Sequence, residues 1–148
     1  MELAHSSTNC WDVFSSQKEH AAIEAEAQEY IAFLSRCKTE RETVDWVVEQ
    51  AAAAGFTSDW ASGAVCRVLR GKTVLLARRG RRPLRAGVRL LGAHADTPRL
   101  DCKQHPVYED GGMALGKTHY YGGIRKYQWL ARPLALHGVV VKENGETV

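Results

Sequence analysis

The run Val88-Arg89-Leu90-Leu91-Gly92-Ala93, which leads directly into His94-Ala95-Asp96, constrains the fold more than any other part of the sequence. It is short, apolar and bounded by Gly87 on one side and Thr97-Pro98 on the other, the pattern of a mostly buried strand between turns. A buried strand needs a sheet, and His94 then stands at the strand's C-terminal end, where open α/β sheets place their ligands. Side chains alternate along an extended chain, so Asp96 points to the same side as His94. A neutral imidazole binds zinc through one nitrogen when a partner fixes the other, and Asp96 is a natural partner for that N–H. On spacing alone, an imidazole simply satisfied by a nearby carboxylate accounts for the pair equally well.

The preceding sequence supplies the layers that such a strand requires. Ser16-Gln17-Lys18-Glu19 is a capping-box pattern, and Ile23, Ala27, Tyr30, Ile31 and Leu34 follow at helical spacing, which predicts an amphipathic helix ending near Cys37. Thr39-Glu40-Arg41-Glu42 repeats the capping logic, with Val44, Val47, Val48 and Ala51 on one face and Gly55 as the stop. Ala64–Leu69 and Thr73–Ala77 flank Arg70-Gly71-Lys72, a link whose central glycine suits a β-hairpin. Helix, helix, hairpin and strand in that order indicate the start of an α/β layer architecture. There are no internal repeats and no low-complexity linker.

Composition sets the outer bounds. A chain of 148 residues is normally one domain with enough length for a core. With 45% hydrophobic and 25% charged residues it has the make-up of a soluble protein, and a net charge of +3 is too small to imply a nucleic-acid partner. Cys10, Cys37, Cys66 and Cys102 form neither a Cys-x-x-Cys pair nor a zinc-ribbon pattern, and scattered thiols suit a reducing compartment. Met1–Ser7 carries an acid and lacks the basic and apolar regions of a secretory leader. No stretch approaches the roughly 18 apolar residues of a membrane helix. These readings make a cytoplasmic location the expectation, with no membrane partner.

Other features are weaker. Arg78, Arg79, Arg81, Arg82, Arg85 and Arg89 form a basic segment, but it lies around Gly80 and Pro83 with no interleaved aromatic residue for base stacking, which favours a solvated loop over nucleic-acid contact. Gly122-Gly123 stands outside any phosphate-binding glycine motif and suits a tight backbone approach. His137, inside the apolar run Leu134–Val141, reads as a half-buried or edge residue, and for His105 and His119 substrate contact is conceivable. No Gly-x-Ser-x-Gly element points to a serine nucleophile.

The segment from His94 to Lys103, His-Ala-Asp-Thr-Pro-Arg-Leu-Asp-Cys-Lys, resembles the His-x-Asp-(Ser/Ala)-Pro-x-Leu-x-x-Lys signature of the aspartyl aminopeptidase family of zinc exopeptidases. A second block, Lys117-Thr118-His119-Tyr120-Tyr121-Gly122-Gly123-Ile124, then Trp129, then Arg132-Pro133-Leu134 through Gly138-Val139-Val140, resembles that family's Tyr-Gly-Gly-(Gly)-Ile segment and the Trp and Arg-x-Leu-x-x-x-Gly-x-Val run that follow. The resemblance covers residues 15 to 148. Many members carry Asp before the arginine of the second block, where this chain has Ala131, which looks like a bacterial-type subgroup.

The resemblance implies an α/β fold: residues 1–100 as the N-terminal part of a three-layer zinc-exopeptidase catalytic domain, and 101–148 as the beginning of a β-rich insert that in the family mediates oligomerisation and gates the site. It implies a zinc-dependent aminopeptidase acting on peptides, with two zinc ions per complete site or other divalent metals in their place. It carries His94 over as a metal ligand and Asp96 as the catalytic-site residue that orients it, whereas Asp101, Glu109 and Asp110 match no family ligand position. The family's remaining ligands and its glutamate base lie beyond the insert, so the 148-residue chain is expected to be inactive alone and to form a homo-oligomer only as part of a full-length protein. Two other readings use the same residues: a non-catalytic remnant that pairs with a full-length subunit through Leu134–Val141, and a small nucleic-acid binder built on the arginine segment.

Overall fold

The structure, a computed structural model, describes residues 7–148, so the leader reading of the first residues falls almost entirely outside it. The chain divides after Cys37 into two compact units.

The first unit contains a short helix, α1 (Cys10–Val13), and a long one, α2 (Gln17–Arg36). The expected capping box is present at Ser16: its Oγ accepts from the Glu19 amide at 3.2 Å, and Glu19 Oε2 accepts from the Ser16 amide at 3.1 Å. Two otherwise orphaned N–H groups are thereby satisfied, which fixes the helix start.

The second unit opens with α3 (Glu40–Ala53), whose first turn is capped in the same way. Thr39 Oγ1 accepts from the Glu42 amide at 3.3 Å, while Glu42 Oε2 accepts from the amides of Thr39 at 2.8 Å and Lys38 at 2.9 Å. The helix ends as Gly55 predicts. That glycine takes φ +80°, and the Gly55 and Phe56 amides turn back to the carbonyls of Ala52 and Ala51, a Schellman closure. Val44 and Ala51, seven residues apart and therefore on one face, are buried where α3 packs on a hairpin of β1 (Ala64–Leu69) and β2 (Thr73–Arg78), and Val65 of β1 is buried with them. Arg70 and Gly71 both have positive φ in the hairpin turn, and Arg41 Nη1 donates to the Arg70 carbonyl at 3.3 Å, which ties the turn to α3.

A second antiparallel hairpin, β3 (Arg99–Asp110) and β4 (Met113–Tyr121), turns through Gly111 and Gly112 at φ +60° and +74°. Two successive left-handed residues match the right-handed twist of the strands, so a Gly-Gly pair belongs there. Between Cys102 and Val107 the register shifts, and His105 at φ +51° lies in that irregular stretch. The effect is to bring Arg99 opposite Tyr121 at the root of the hairpin.

One expectation is corrected. Val88–Ala93 is neither paired as a strand nor buried: Leu90 is 88% and Leu91 97% exposed, because among the described residues no strand lies beside it to satisfy its backbone and no layer covers it. Leu134–Val141 is exposed, Leu136 to 88%, and its end pairs within the chain, with Val140 and Val148 exchanging backbone hydrogen bonds at 2.8 and 2.9 Å.

Glu42 has a second role besides capping. Its Oε1 lies 2.8 Å from Nδ1 of His137, whose side chain is half-buried as its apolar setting suggested; the pairing with Glu42 was not legible from the sequence. Partial burial pushes the Glu42 carboxyl up, but hydrogen bonds from His137, the Lys38 amide and Thr39 outweigh it and hold its pKa below the ordinary value. A depressed carboxyl stabilises the fold above its unfolded pKa of about 4.3 and loses that contribution as the pH falls through the lower folded value. Glu42→Ala is therefore expected to cost about 1 kcal/mol at pH 7, the size of a lost cap, and almost nothing once the wild-type carboxyl is protonated. Denaturant unfolding of both proteins at pH 7 and in strong acid measures the difference, and an equal cost at both values would exclude a role for the charge.

Candidate metal centre

His94 and Asp96 lie in the extended segment just before β3. His94 Nδ1 is 2.9 Å from Asp96 Oδ1 and 2.9 Å from the Asp96 backbone carbonyl. Both neighbours are acceptors only, so Nδ1 carries the proton and, in the neutral ring, Nε2 keeps its lone pair. The imidazole side chain is 82% exposed, and its free nitrogen is open to a ligand. Asp96 accepts on its other oxygen from the Tyr121 hydroxyl, at 2.7 Å. That bond, then its own backbone and His94, hold the Asp96 carboxyl below the usual range, so it is ionised at neutral pH. Donating to a carboxylate in turn raises the Tyr121 hydroxyl above its ordinary pKa.

Behind this trio stands Arg99. Its guanidinium lies over the Tyr121 ring at 4.4 Å, its Nε donates to Asp101 Oδ1 at 2.7 Å, its Nη2 to Glu40 Oε1 at 3.2 Å and its Nη1 to the Thr97 carbonyl at 3.2 Å. Glu40 is the first residue of α3, so an unbroken chain of contacts runs from that helix through Arg99, Tyr121 and Asp96 to His94. Gly122 takes φ +69°, and a Cβ there would meet Pro98 at an ordinary contact distance of 3.4 Å, so it is the left-handed backbone, and not a close approach, that calls for glycine.

The sequence pointed to His94 and Asp96 but not to Tyr121, Arg99 or Glu40. The signal that could have found Arg99 and Asp101 as partners is their spacing of two along a strand. Among the described residues no three His, Cys, Asp or Glu side chains gather to hold a metal ion. His119 Nδ1 is instead 3.1 Å from the Tyr120 carbonyl. None of the four cysteines is in a disulfide. No described helix is long and apolar enough to cross a membrane. In the arginine segment, Arg78 is occupied by a bond to the Ala54 carbonyl at 3.1 Å and by the Phe56 ring, whereas Arg81, Arg82 and Arg85 are exposed on the loop, as a solvated segment should be.

Residues 33–148 match the model of the aminopeptidase I zinc metalloprotease (M18) family. The chain belongs to the M18 family. It is 41% identical over 150 aligned positions to a probable M18 family aminopeptidase 1 of Clostridium acetobutylicum, an alignment that takes in 95% of this chain and 32% of that protein. Among solved structures it resembles aminopeptidase I from Borrelia burgdorferi B31, with a TM-score of 0.86 at 36% identity over 95% of this chain and 36% of that one. It also resembles the M18 aminopeptidase of Thermotoga maritima, with a TM-score of 0.84 at 39% identity over 98% of this chain and 32% of that one. The mixed helix-and-sheet fold is thus that of part of an M18 aminopeptidase, and the chain spans about a third of the length of the curated relatives it matches. The resemblance read from the two sequence blocks is borne out.

Proposed function

We propose that this chain supplies one zinc ligand to an M18 aminopeptidase that removes N-terminal residues from peptides. The observation that carries the reading is the His94 imidazole, which lies inside the family match with Nδ1 held by Asp96 and Nε2 free. A ligating histidine is ordinarily held in this way by a carboxylate or a backbone carbonyl, and here both accept from the same N–H. Catalytic zinc sites use three protein ligands, so the remaining donors come from outside the described residues, and two zinc ions would share the complete site. Zinc, when bound, supplies Lewis acidity toward the scissile carbonyl and the attacking water. His94 contributes the lone pair, and Asp96 fixes the ring and strengthens it as a donor by holding its N–H.

In this reading residues 1–100 belong to the catalytic domain, with Val88–Ala93 taking its place in the complete enzyme's sheet, and residues 101–148 begin the insert that serves homo-oligomerisation. The exposed Leu90 and Leu91 support this, since an extended apolar run with unpaired backbone is a surface that a neighbouring strand covers. Four cysteines with no disulfide among them favour a cytoplasmic enzyme, and an arginine segment with no interleaved aromatic residue favours no nucleic-acid partner.

The test uses the complete enzyme and a short peptide. Release of the N-terminal residue should cease when the metal is chelated and return with added zinc, while the 148-residue chain alone releases nothing. Turnover that survives complete metal removal would contradict the proposal.

A further inference from the structure

We infer that Tyr121 is a positioning residue for the metal site, acting on His94 through Asp96; the inference rests on the reading of His94 as a zinc ligand. A carboxylate that holds an imidazole with one oxygen can still rotate about its own bond to Cβ, and Asp96 is not enclosed by protein, with 35% of its side chain exposed. The Tyr121 hydroxyl removes that freedom. At 2.7 Å from Oδ2, opposite the oxygen used by His94, it gives the carboxylate two donors in fixed directions and so sets the plane in which Oδ1 meets Nδ1.

Tyr121 is itself held by Arg99 in two ways: the ladder pairs the two residues, and the Arg99 guanidinium covers the tyrosine ring at 4.4 Å. Arg99 is anchored in turn on Asp101 and on Glu40 of α3. The root of the β3–β4 hairpin and the first turn of α3 therefore bear on the orientation of one imidazole, and a displacement of the hairpin would be felt at His94 Nε2.

The experiment is a double-mutant cycle on zinc affinity in the complete enzyme, measured by equilibrium competition with a chromogenic chelator. Tyr121→Phe keeps the ring that Arg99 covers and removes only the hydroxyl, so the hairpin is retained, and thermal unfolding of each variant verifies it. Partners that touch a metal ligand directly are worth roughly 10- to 100-fold in affinity, and a group one contact further out should be worth less, about 3- to 10-fold. Tyr121→Phe is expected to weaken zinc binding by that factor in the wild-type background and to have no further effect in an Asp96→Ala background. Unchanged affinity in Tyr121→Phe would overturn the inference, as would an equal loss in both backgrounds, which is the mark of a structural role that bypasses Asp96. A His94→Ala control that binds zinc as tightly as wild type would instead remove the ligand reading itself, so the two failures are distinguishable.

Discussion

Replacement of His94 by Ala in the complete aminopeptidase is expected to lower zinc affinity and turnover by more than about 100-fold. The magnitude follows from position: partners that only orient a ligand are worth up to about 100-fold, and a donor that contributes its own lone pair to the ion is worth more. The fold should be unaffected. The His94 side chain is 82% exposed, and among the described residues it hydrogen-bonds to Asp96, two residues away, so its removal leaves no cavity and strands no buried group. Zinc titration and thermal unfolding of the same preparation separate the two effects. A large drop in melting temperature, with zinc affinity intact, would assign His94 to the scaffold instead.

Asp96→Ala comes next in size, with an expected loss of about 10- to 100-fold in metal affinity or rate. Two consequences follow from removing the carboxylate. The His94 Nδ1–H loses a charged acceptor and keeps only a backbone carbonyl, which makes the ring a poorer donor and frees it to turn. The Tyr121 hydroxyl loses its partner as well and faces solvent. Asp96→Asn is the informative companion, because its carbonyl oxygen can still accept from Nδ1–H without the negative charge. An intermediate loss in the Asn variant would apportion the effect between orientation and charge, while full activity in both variants would remove Asp96 from the mechanism.

Local signals carried the elements whose stability is local. The capping boxes at Ser16 and Thr39, the Schellman stop at Gly55 and the turn around Gly71 are each decided within a few residues, and each stands where the sequence placed it. Val88–Ala93 has the apolar pattern of a strand in a sheet but stands unpaired, because the described residues contain no neighbour to pair with it. Pattern specifies which face is buried, but pairing requires a partner.

The site shows the same division. The His94–Asp96 contact spans two residues of extended chain and was legible from alternation alone. The Tyr121–Asp96 contact spans the whole β3–β4 hairpin. A hairpin numbered outward from Gly111-Gly112 would set Arg99 opposite Ile124; the irregular stretch, in which Cys102–Val107 faces Thr118–Gly116, moves Tyr121 into that position. Pro106, which has no N–H to donate to the ladder, marks that stretch as a place where pairing breaks, but the size of the shift depends on how the two strands twist around each other. Glu40 is more distant still, since it reaches the site only through Arg99.

The most direct test of the central claim is an anomalous-scattering measurement at the zinc edge on crystals of the complete enzyme. A zinc ion is expected about 2.0–2.1 Å from His94 Nε2, with Nδ1 still held by Asp96. Zinc bound elsewhere in an active enzyme, with His94 Nε2 in contact with no metal, would contradict it.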